Sequence, residues 1–142
     1  MLDALVLVVD DNSETLDLMA FALESEGFRV RKAKTVLKAL EMLHDGTPRP
    51  SLILTDLIMP QTSGRDLLKH IRDDEARKAL PVLVMSGADA GESAALADMV
   101  LQKPVDPLHV AATARTLLAA TSRGSGDPTQ TRRAAGTPDG AT

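Results

Sequence analysis

The sequence predicts an α/β fold in which a five-stranded parallel sheet is covered by helices on both faces. Short runs of branched aliphatic residues alternate along the chain with longer segments of helical periodicity. Several of these runs are apolar throughout, which is typical of strands that are buried on both faces. Alternating strands and helices joined by right-handed crossovers form a doubly wound sheet. At 142 residues the chain is long enough for one such domain.

The first half of the chain contains the first two strands and helices. The β-branched run at residues 5–9 predicts the first strand, and the following helix extends from Ser13 to a stop at Gly27. Residues 28–32 alternate between apolar and basic side chains, which predicts a second strand at an edge of the sheet. Thr35 can cap the second helix.

The third strand ends at a carboxylate. The apolar run at residues 52–54 predicts a buried strand, which places Asp56 at its carboxyl end. Pro60 and Gly64 require a loop after this strand, and Ser63 can cap the third helix. Open α/β sheets place their chemistry at such strand-to-loop edges.

The remaining elements are shorter. Residues 72–78, RDDEARK, are interpreted as a solvated charge run. Strands four and five are predicted at residues 82–85 and 99–102, with at most a short helix at residues 89–97 between them. Asp106 followed by proline opens the last helix.

Composition excludes several classes of function. Sixteen basic and twenty acidic residues give a net charge of −4, so nucleic-acid binding by this chain alone is not expected. The chain has no cysteine, which excludes disulfides and thiolate metal sites and is compatible with the cytoplasm. No apolar stretch is long enough for membrane insertion. A folded domain over residues 1–120 and a disordered tail over residues 121–142 are predicted from composition.

Chemically notable side chains follow four of the predicted strands. They are Asp10 with Asp11, then Asp56, Ser86 and Lys103, and the carboxyl ends of parallel strands share one edge of the sheet. Three crowded carboxylates repel one another unless a cation lies among them, and their hard oxygen ligands favour Mg²⁺. The serine hydroxyl and the lysine ammonium match the remaining needs of a phosphoryl group.

Four motifs carry a resemblance to a known family. The segments VLVVDDN, LILTDLIMP, VLVMSG and LQKP follow one another over about residues 4–119. Together they resemble the receiver domain of response regulators in bacterial two-component signalling. The resemblance implies a flavodoxin-like sheet with strand order 2-1-3-4-5.

The resemblance also implies roles for individual residues. Asp56 would be the phosphoacceptor, attacking the phosphohistidine of a kinase in line to form an acyl phosphate. Asp11 would bind Mg²⁺ directly and Asp10 mainly through water, with Asp56 and the backbone carbonyl of Ile58 completing the protein ligands. Further implied are a hydrogen bond from Ser86 to a phosphoryl oxygen, an ion pair from Lys103 to another, and a cis peptide bond before Pro104.

Two departures from the family pattern concern output. Val100 occupies the position where the family commonly has a switching aromatic residue, and the segment from Ser86 to Lys103 is short by about one helical turn. A truncated fourth helix is therefore expected, and residues 87–98 are predicted to be the mobile output element. The wide apolar arc of the first helix, including Leu16 and Phe21, is predicted to dock a kinase or another partner.

The preferred interpretation is a stand-alone signalling switch. A histidine kinase or phosphotransfer protein would phosphorylate it, and output would pass to an unknown downstream protein. The resemblance implies no enzymatic activity beyond weak Mg²⁺-dependent self-phosphorylation from small phosphodonors and autodephosphorylation. The alternative is a pseudo-receiver that serves as a constitutive protein-binding scaffold without phosphorylation. A Mg²⁺-dependent aspartyl phosphatase ranks lower, because its nucleophile usually lies in a DxD arrangement, whereas Asp10 and Asp11 are adjacent.

Overall fold

The computed structural model contains one five-stranded parallel sheet with α-helices on both faces. It describes residues 4–45, 49–57, 64–75, 77–87 and 95–125, with no side-chain description after residue 120. The elements, in chain order, are β1 (Leu5–Val9), α1 (Ser13–Ser25), β2 (Arg29–Ala33), α2 (Val36–Asp45), β3 (Leu52–Asp56), α3 (Gly64–Asp73), β4 (Val82–Ser86), β5 (Met99–Gln102) and α4 (Pro107–Ser125).

The strand order is β2-β1-β3-β4-β5, and every neighbouring pair is parallel. This confirms the predicted topology, including the position of β2 at an edge of the sheet. The three central strands are buried along their whole length, whereas both edge strands are partly exposed. The continuous apolar runs of the sequence thus correspond to strands with a helical layer on each side.

The hydrophobic core has two layers because successive strand side chains point to opposite faces of the sheet. Leu7 and Ile53 belong to the layer under α2 and α3, while Val8 and Leu54 belong to the layer under α1 and α4. The core is almost wholly aliphatic, since Phe28 is the one aromatic side chain in either cluster of described residues.

Three helix caps are present, and those at Thr35 and Asp106 were predicted from the sequence. The side chain of Asn12 accepts a hydrogen bond from the backbone N–H of Thr15 at 2.9 Å, at the start of α1. Thr35 Oγ1 accepts a hydrogen bond from the Lys38 N–H at 2.9 Å. Asp106 Oδ1 accepts a hydrogen bond from the Leu108 N–H at 3.1 Å, at the start of α4. The predicted cap at Ser63 lies outside the described residues.

The last part of the chain differs from the prediction in its boundaries. Helix α4 continues to Ser125, five residues past the predicted domain boundary, and the rest of the predicted tail lies outside the described residues. The short helix predicted at 89–97 falls largely outside them as well. Its described end, at residues 95–97, contains no α-helix and leads into β5.

Two interpretations of surface residues were wrong. Leu16 is 3% exposed and belongs to the core, so it cannot form part of a docking surface, whereas Leu18 and Phe21 are exposed. The charge run at residues 72–78 is not a uniformly solvated face, because the side chains of Arg72 and Arg77 are only 19% and 18% exposed. Their apolar stems and donor groups are used inside the fold.

Arg72 ties the end of α3 to two other segments. Its guanidinium donates hydrogen bonds to the carbonyl oxygens of Leu96, Lys78 and Leu80 at 2.7–2.9 Å, and pairs with the Asp98 carboxylate at 2.8 Å. The same Asp98 oxygen accepts the N–H of Val82 at 2.7 Å. We call these contacts of Arg72 and Asp98 the clasp. They hold the start of β5 beside Val82, the first residue of β4.

No helix within the described ranges has the length and apolar character needed to cross a membrane.

Candidate functional site

The predicted site residues lie at one edge of the sheet. Asp10 follows β1, Asp56 is the last residue of β3 and Ser86 is the last residue of β4, while Lys103 follows β5. Residue register supports this arrangement, because Asp56 pairs with Met85 and Ser86 pairs with Gln102. Parallel pairing therefore brings four distant parts of the sequence to the same place.

Three carboxylates form a cluster at this edge. Oxygens of Asp10, Asp11 and Asp56 all lie within 4.8 Å of one another. Asp10 and Asp56 are buried, with 1% and 7% of their surface exposed, while Asp11 faces solvent. The cluster is thus open on one side and enclosed on the other.

The pKa of the buried Asp10 carboxyl is raised above its ordinary value. Desolvation raises its pKa, the backbone hydrogen bond from Asn12 lowers it, and the neighbouring charge of Asp56 raises it further. The hydrogen bond joins the Asn12 N–H to Oδ1 at 2.9 Å, whereas Oδ2 is buried without a hydrogen-bond partner in the described part of the chain. A buried carboxylate oxygen of this kind is costly unless a positive charge compensates it.

Lys103 supplies a positive charge next to Asp56. Its ammonium nitrogen lies 2.9 Å from Asp56 Oδ2, and the lysine side chain is 35% exposed. The backbone holds the lysine in place, because its N–H donates to the Ser86 carbonyl at 2.7 Å and extends the pairing of β4 with β5. The Lys103–Pro104 peptide bond is cis, as the resemblance implied.

Not every predicted site residue can be placed. Ser86 is buried at the end of β4, next to the strand that carries Asp56. Ile58 lies outside the described residues, so its carbonyl remains a prediction. The sequence did not indicate the contribution of the Asn12 backbone to Asp10, because backbone donors have no residue-type signature.

The donor set fits a hard divalent cation. Three carboxylates whose oxygens lie within 4.8 Å of one another offer oxygen ligands and negative charge, and one of them, Asp10, has a buried oxygen without a hydrogen-bond partner in the described part of the chain. Lys103 forms an ion pair with one of the three carboxylates, that of Asp56. Fold and site together define an α/β protein with an acidic pocket at the carboxyl ends of the strands of a doubly wound sheet.

Comparisons with known proteins agree with this architecture. The family described as response regulator receiver domain matches residues 6–115. The two-component response regulator ORR11 of Oryza sativa subsp. japonica is 36% identical over 110 residues, covering 74% of each chain. A response regulator receiver protein from Pseudomonas putida is 34% identical, with a TM-score of 0.72 over 80% of this chain and 97% of that one. A receiver domain from Clostridium thermocellum, at 26% identity, has a TM-score of 0.75 over 84% of this chain and 98% of its own.

The chain belongs to the response regulator receiver domain family. It is therefore a module of two-component signal transduction with a phosphorylation-controlled role, and such domains are generally not classical enzymes. Receiver domains bind Mg²⁺ at an acidic pocket and interact with histidine kinases or phosphotransfer proteins. In this chain the structure places three carboxylates, those of Asp10, Asp11 and Asp56, in one acidic cluster.

The raised pKa of Asp10 predicts a stabilising substitution. In EDTA at pH 7, Asp10→Asn should raise the Tm, because the amide keeps the shape without a buried charge. Because the pKa of Asp10 is raised in the folded state, this carboxyl destabilises the native domain as pH rises above its unfolded-state pKa. The difference in Tm between Asp10→Asn and native protein should therefore vanish below the unfolded-state pKa. Thermal unfolding of both proteins across pH measures this difference.

The same variant should respond less to Mg²⁺ than the native domain. A cation that binds only the folded site raises the Tm of the native domain, and loss of one carboxylate weakens that binding. Asp17→Asn is the matched control, because Asp17 is an exposed α1 carboxylate outside the cluster. A Mg²⁺-induced rise that is equal in Asp10→Asn, Asp17→Asn and native protein would contradict the assignment of the pocket.

Proposed function

We propose that this domain accepts a phosphoryl group on Asp56 in the presence of Mg²⁺ and passes the signal on by protein–protein interaction. One observation carries the proposal. Asp56 shares its pocket with two further carboxylates, and its Oδ2 contacts the Lys103 ammonium at 2.9 Å. This arrangement suits a carboxylate that gains a multiply charged group, because both a cation site and a lysine are in reach.

The proposed chemistry is a transfer between two nucleophiles. A carboxylate oxygen of Asp56 attacks phosphorus in line, and the bond from phosphorus to the donor atom breaks with its electron pair leaving on the donor. The donor is a phosphohistidine of a kinase or phosphotransfer protein, or a small acyl phosphate. Hydrolysis of the resulting acyl phosphate returns the carboxylate and inorganic phosphate. Bound Mg²⁺ would offset negative charge on the phosphoryl oxygens.

The residues around Asp56 have separate proposed roles. Asp10 and Asp11, with the Ile58 carbonyl, would hold the cation. Lys103 would leave its present partner and pair with a phosphoryl oxygen, and the Ser86 hydroxyl would bond another. Burial at the strand edge would slow hydrolysis by limiting access of water to phosphorus.

We also propose a face for the phosphodonor. Leu18 and Phe21 on α1 are 56% and 72% exposed, which is unusual in a chain whose core clusters hold one aromatic residue. Helix α1 begins directly after the acidic pair, so a partner bound there would reach Asp56. Residues 87–98 as the output element, and a cytoplasmic location, stay predictions.

The scaffold alternative is favoured by Val100. This branched side chain is partly buried against the core layer of α2 and α3 and has no ring that could swing inward. A pseudo-receiver of this kind would bind its partner equally with or without phosphoryl donors. Phosphoryl uptake separates the two functions.

Intact mass spectrometry tests the proposed function. After incubation with acetyl phosphate and Mg²⁺, the native domain should gain the mass of one phosphoryl group, and Asp56→Asn should gain none. Absence of the increment from the native domain, or its persistence in Asp56→Asn, would contradict the proposal and favour the scaffold.

Lys103→Ala should separate phosphorylation from folding. The fold should survive because Lys103 is partly exposed, and its backbone bond to Ser86 does not need the side chain. Phosphoryl uptake should slow by about tenfold or more, since a charge-assisted partner is lost, and circular dichroism should stay native-like. Lys38→Ala, a lysine on α2 away from the site, is the control. Native uptake rates in a folded Lys103→Ala protein would contradict the role.

A further inference from the structure

The peptide group that joins Asp56 to Leu57 is held on both sides. Its carbonyl oxygen accepts a hydrogen bond from Thr55 Oγ1 at 2.9 Å, within a fully buried environment. Its N–H donates to the Met85 carbonyl of β4 at 3.1 Å. The two bonds fix the plane of the peptide that directly follows the phosphoacceptor.

The Asp56 carbonyl lies just beyond the strand pairing that would otherwise fix it. Pairing of β1 with β3 ends at Val9 and Thr55, so Asp56 is one residue past the last β1 partner. The first residue of α3 closes the other side, because a Cβ on Gly64 would lie only 2.4 Å from this carbonyl oxygen. A buried carbonyl at such a place needs a donor from the protein.

Packing alone does not explain a threonine at this position. The residues in register with Thr55 on both neighbouring strands, Val9 and Val84, are valines in the same buried row. Valine has nearly the shape of threonine and buries no hydroxyl, so a purely structural position in this row would favour valine. The difference between the two side chains is the hydrogen bond to the Asp56 carbonyl.

We infer that Thr55 is a positioning residue for phosphoryl transfer. Its hydroxyl orients the Asp56 peptide and thereby sets the direction of the carboxylate toward Lys103 and the acidic pair. In-line attack requires the carboxylate oxygen at a defined distance and angle from phosphorus, and small displacements are expensive in rate. The inference rests on the proposed function and adds a residue that neither binds the cation nor contacts the phosphoryl group.

Thr55→Val tests the inference. At saturating Mg²⁺ and well below the Tm, its rate constant for uptake from acetyl phosphate should fall about tenfold, and Thr55→Ser should restore most of the rate. Thr113→Val is the matched control, because Thr113 is also buried and its hydroxyl donates to a backbone carbonyl, that of His109, at 2.9 Å within α4. Its rate should equal that of the native domain.

Amide hydrogen exchange gives a second readout that does not depend on uptake. The Leu57 N–H should exchange faster in Thr55→Val than in native protein or in Thr113→Val, because the peptide has then lost the hydrogen bond from the Thr55 hydroxyl. If Thr55→Val does not fold, the pair Thr55→Ser and Thr55→Ala replaces it, since both lack the methyl group and only serine keeps the donor.

The outcomes separate the inference from the proposed function. Native uptake rates in folded Thr55→Val, or equal rates in the serine and alanine variants, would overturn the inference alone. Failure of the native domain to take up phosphoryl groups would overturn the proposed function and the inference together. Slow uptake in Thr55→Val with recovery in Thr55→Ser would support both.

Discussion

Arg72→Met should unfold on the order of 10 °C below the native domain, corresponding to a loss of about 2–4 kcal/mol in the free energy of unfolding. The guanidinium makes four hydrogen bonds, three of them to carbonyl oxygens that methionine cannot satisfy. Asp98 would also lose its cationic partner while still accepting the N–H of Val82. Thermal and urea unfolding measure the loss.

Matched variants distinguish the clasp from a simple ion pair. Arg72→Lys keeps the charge but lacks the planar fork, so it should recover little of the lost stability. Lys32→Met breaks the exposed ion pair between Lys32 and Asp17, whose charged atoms lie 3.0 Å apart. This substitution should lower the free energy of unfolding by less than about 1 kcal/mol. If Arg72→Met cost no more than Lys32→Met, the clasp would have no special role.

Gly64→Ala should affect both stability and phosphoryl uptake. A Cβ at this position would lie 2.4 Å from the Asp56 carbonyl oxygen and 2.9 Å from the Leu57 Cα, and both are backbone atoms that cannot rotate away. The start of α3 must therefore move away from the end of β3. We expect a loss of about 1–3 kcal/mol, together with a slower rate of uptake on Asp56.

Gly87→Ala is the control for this substitution. Apart from Gly87 and its chain neighbours, no atom of the described residues lies within 4 Å of the position its Cβ would occupy, so stability should change by less than about 1 kcal/mol. Denaturant titration of both variants compares the two glycines directly. Equal losses for Gly64→Ala and Gly87→Ala would show that the close approach of α3 to Asp56 does not constrain the site.

Local sequence patterns were sufficient to predict the sheet. Apolar runs such as residues 5–9 and 52–54 have one physical explanation in a chain of alternating strands and helices, namely strands covered on both faces. The strand order itself came from the resemblance. Parallel strands then place their carboxyl ends together, which is why Asp10, Asp56 and Lys103 could be grouped before any distance was known.

Two of the features that were missed, the roles of Arg72 and Thr55, depend on single side chains reaching backbone atoms. Arg72 lies in a charge run that has the composition of a solvated surface, and only the fold shows three carbonyl groups converging on it. Leu16 was assigned to a wide apolar arc, but helix rotation against the sheet decides which part of the arc is buried. Thr55 resembles Arg72 in this respect, because its hydroxyl donates to a backbone carbonyl, that of the next residue.

Chemical trapping of the phosphorylated residue tests the central claim most directly. Borohydride reduces an acyl phosphate of aspartate to homoserine, and tandem mass spectrometry of the digested domain then locates the change. After treatment with acetyl phosphate and Mg²⁺, the account predicts homoserine at residue 56 and unmodified aspartates at residues 10 and 11. Homoserine at another aspartate, or none in a folded native domain that binds Mg²⁺, would contradict it.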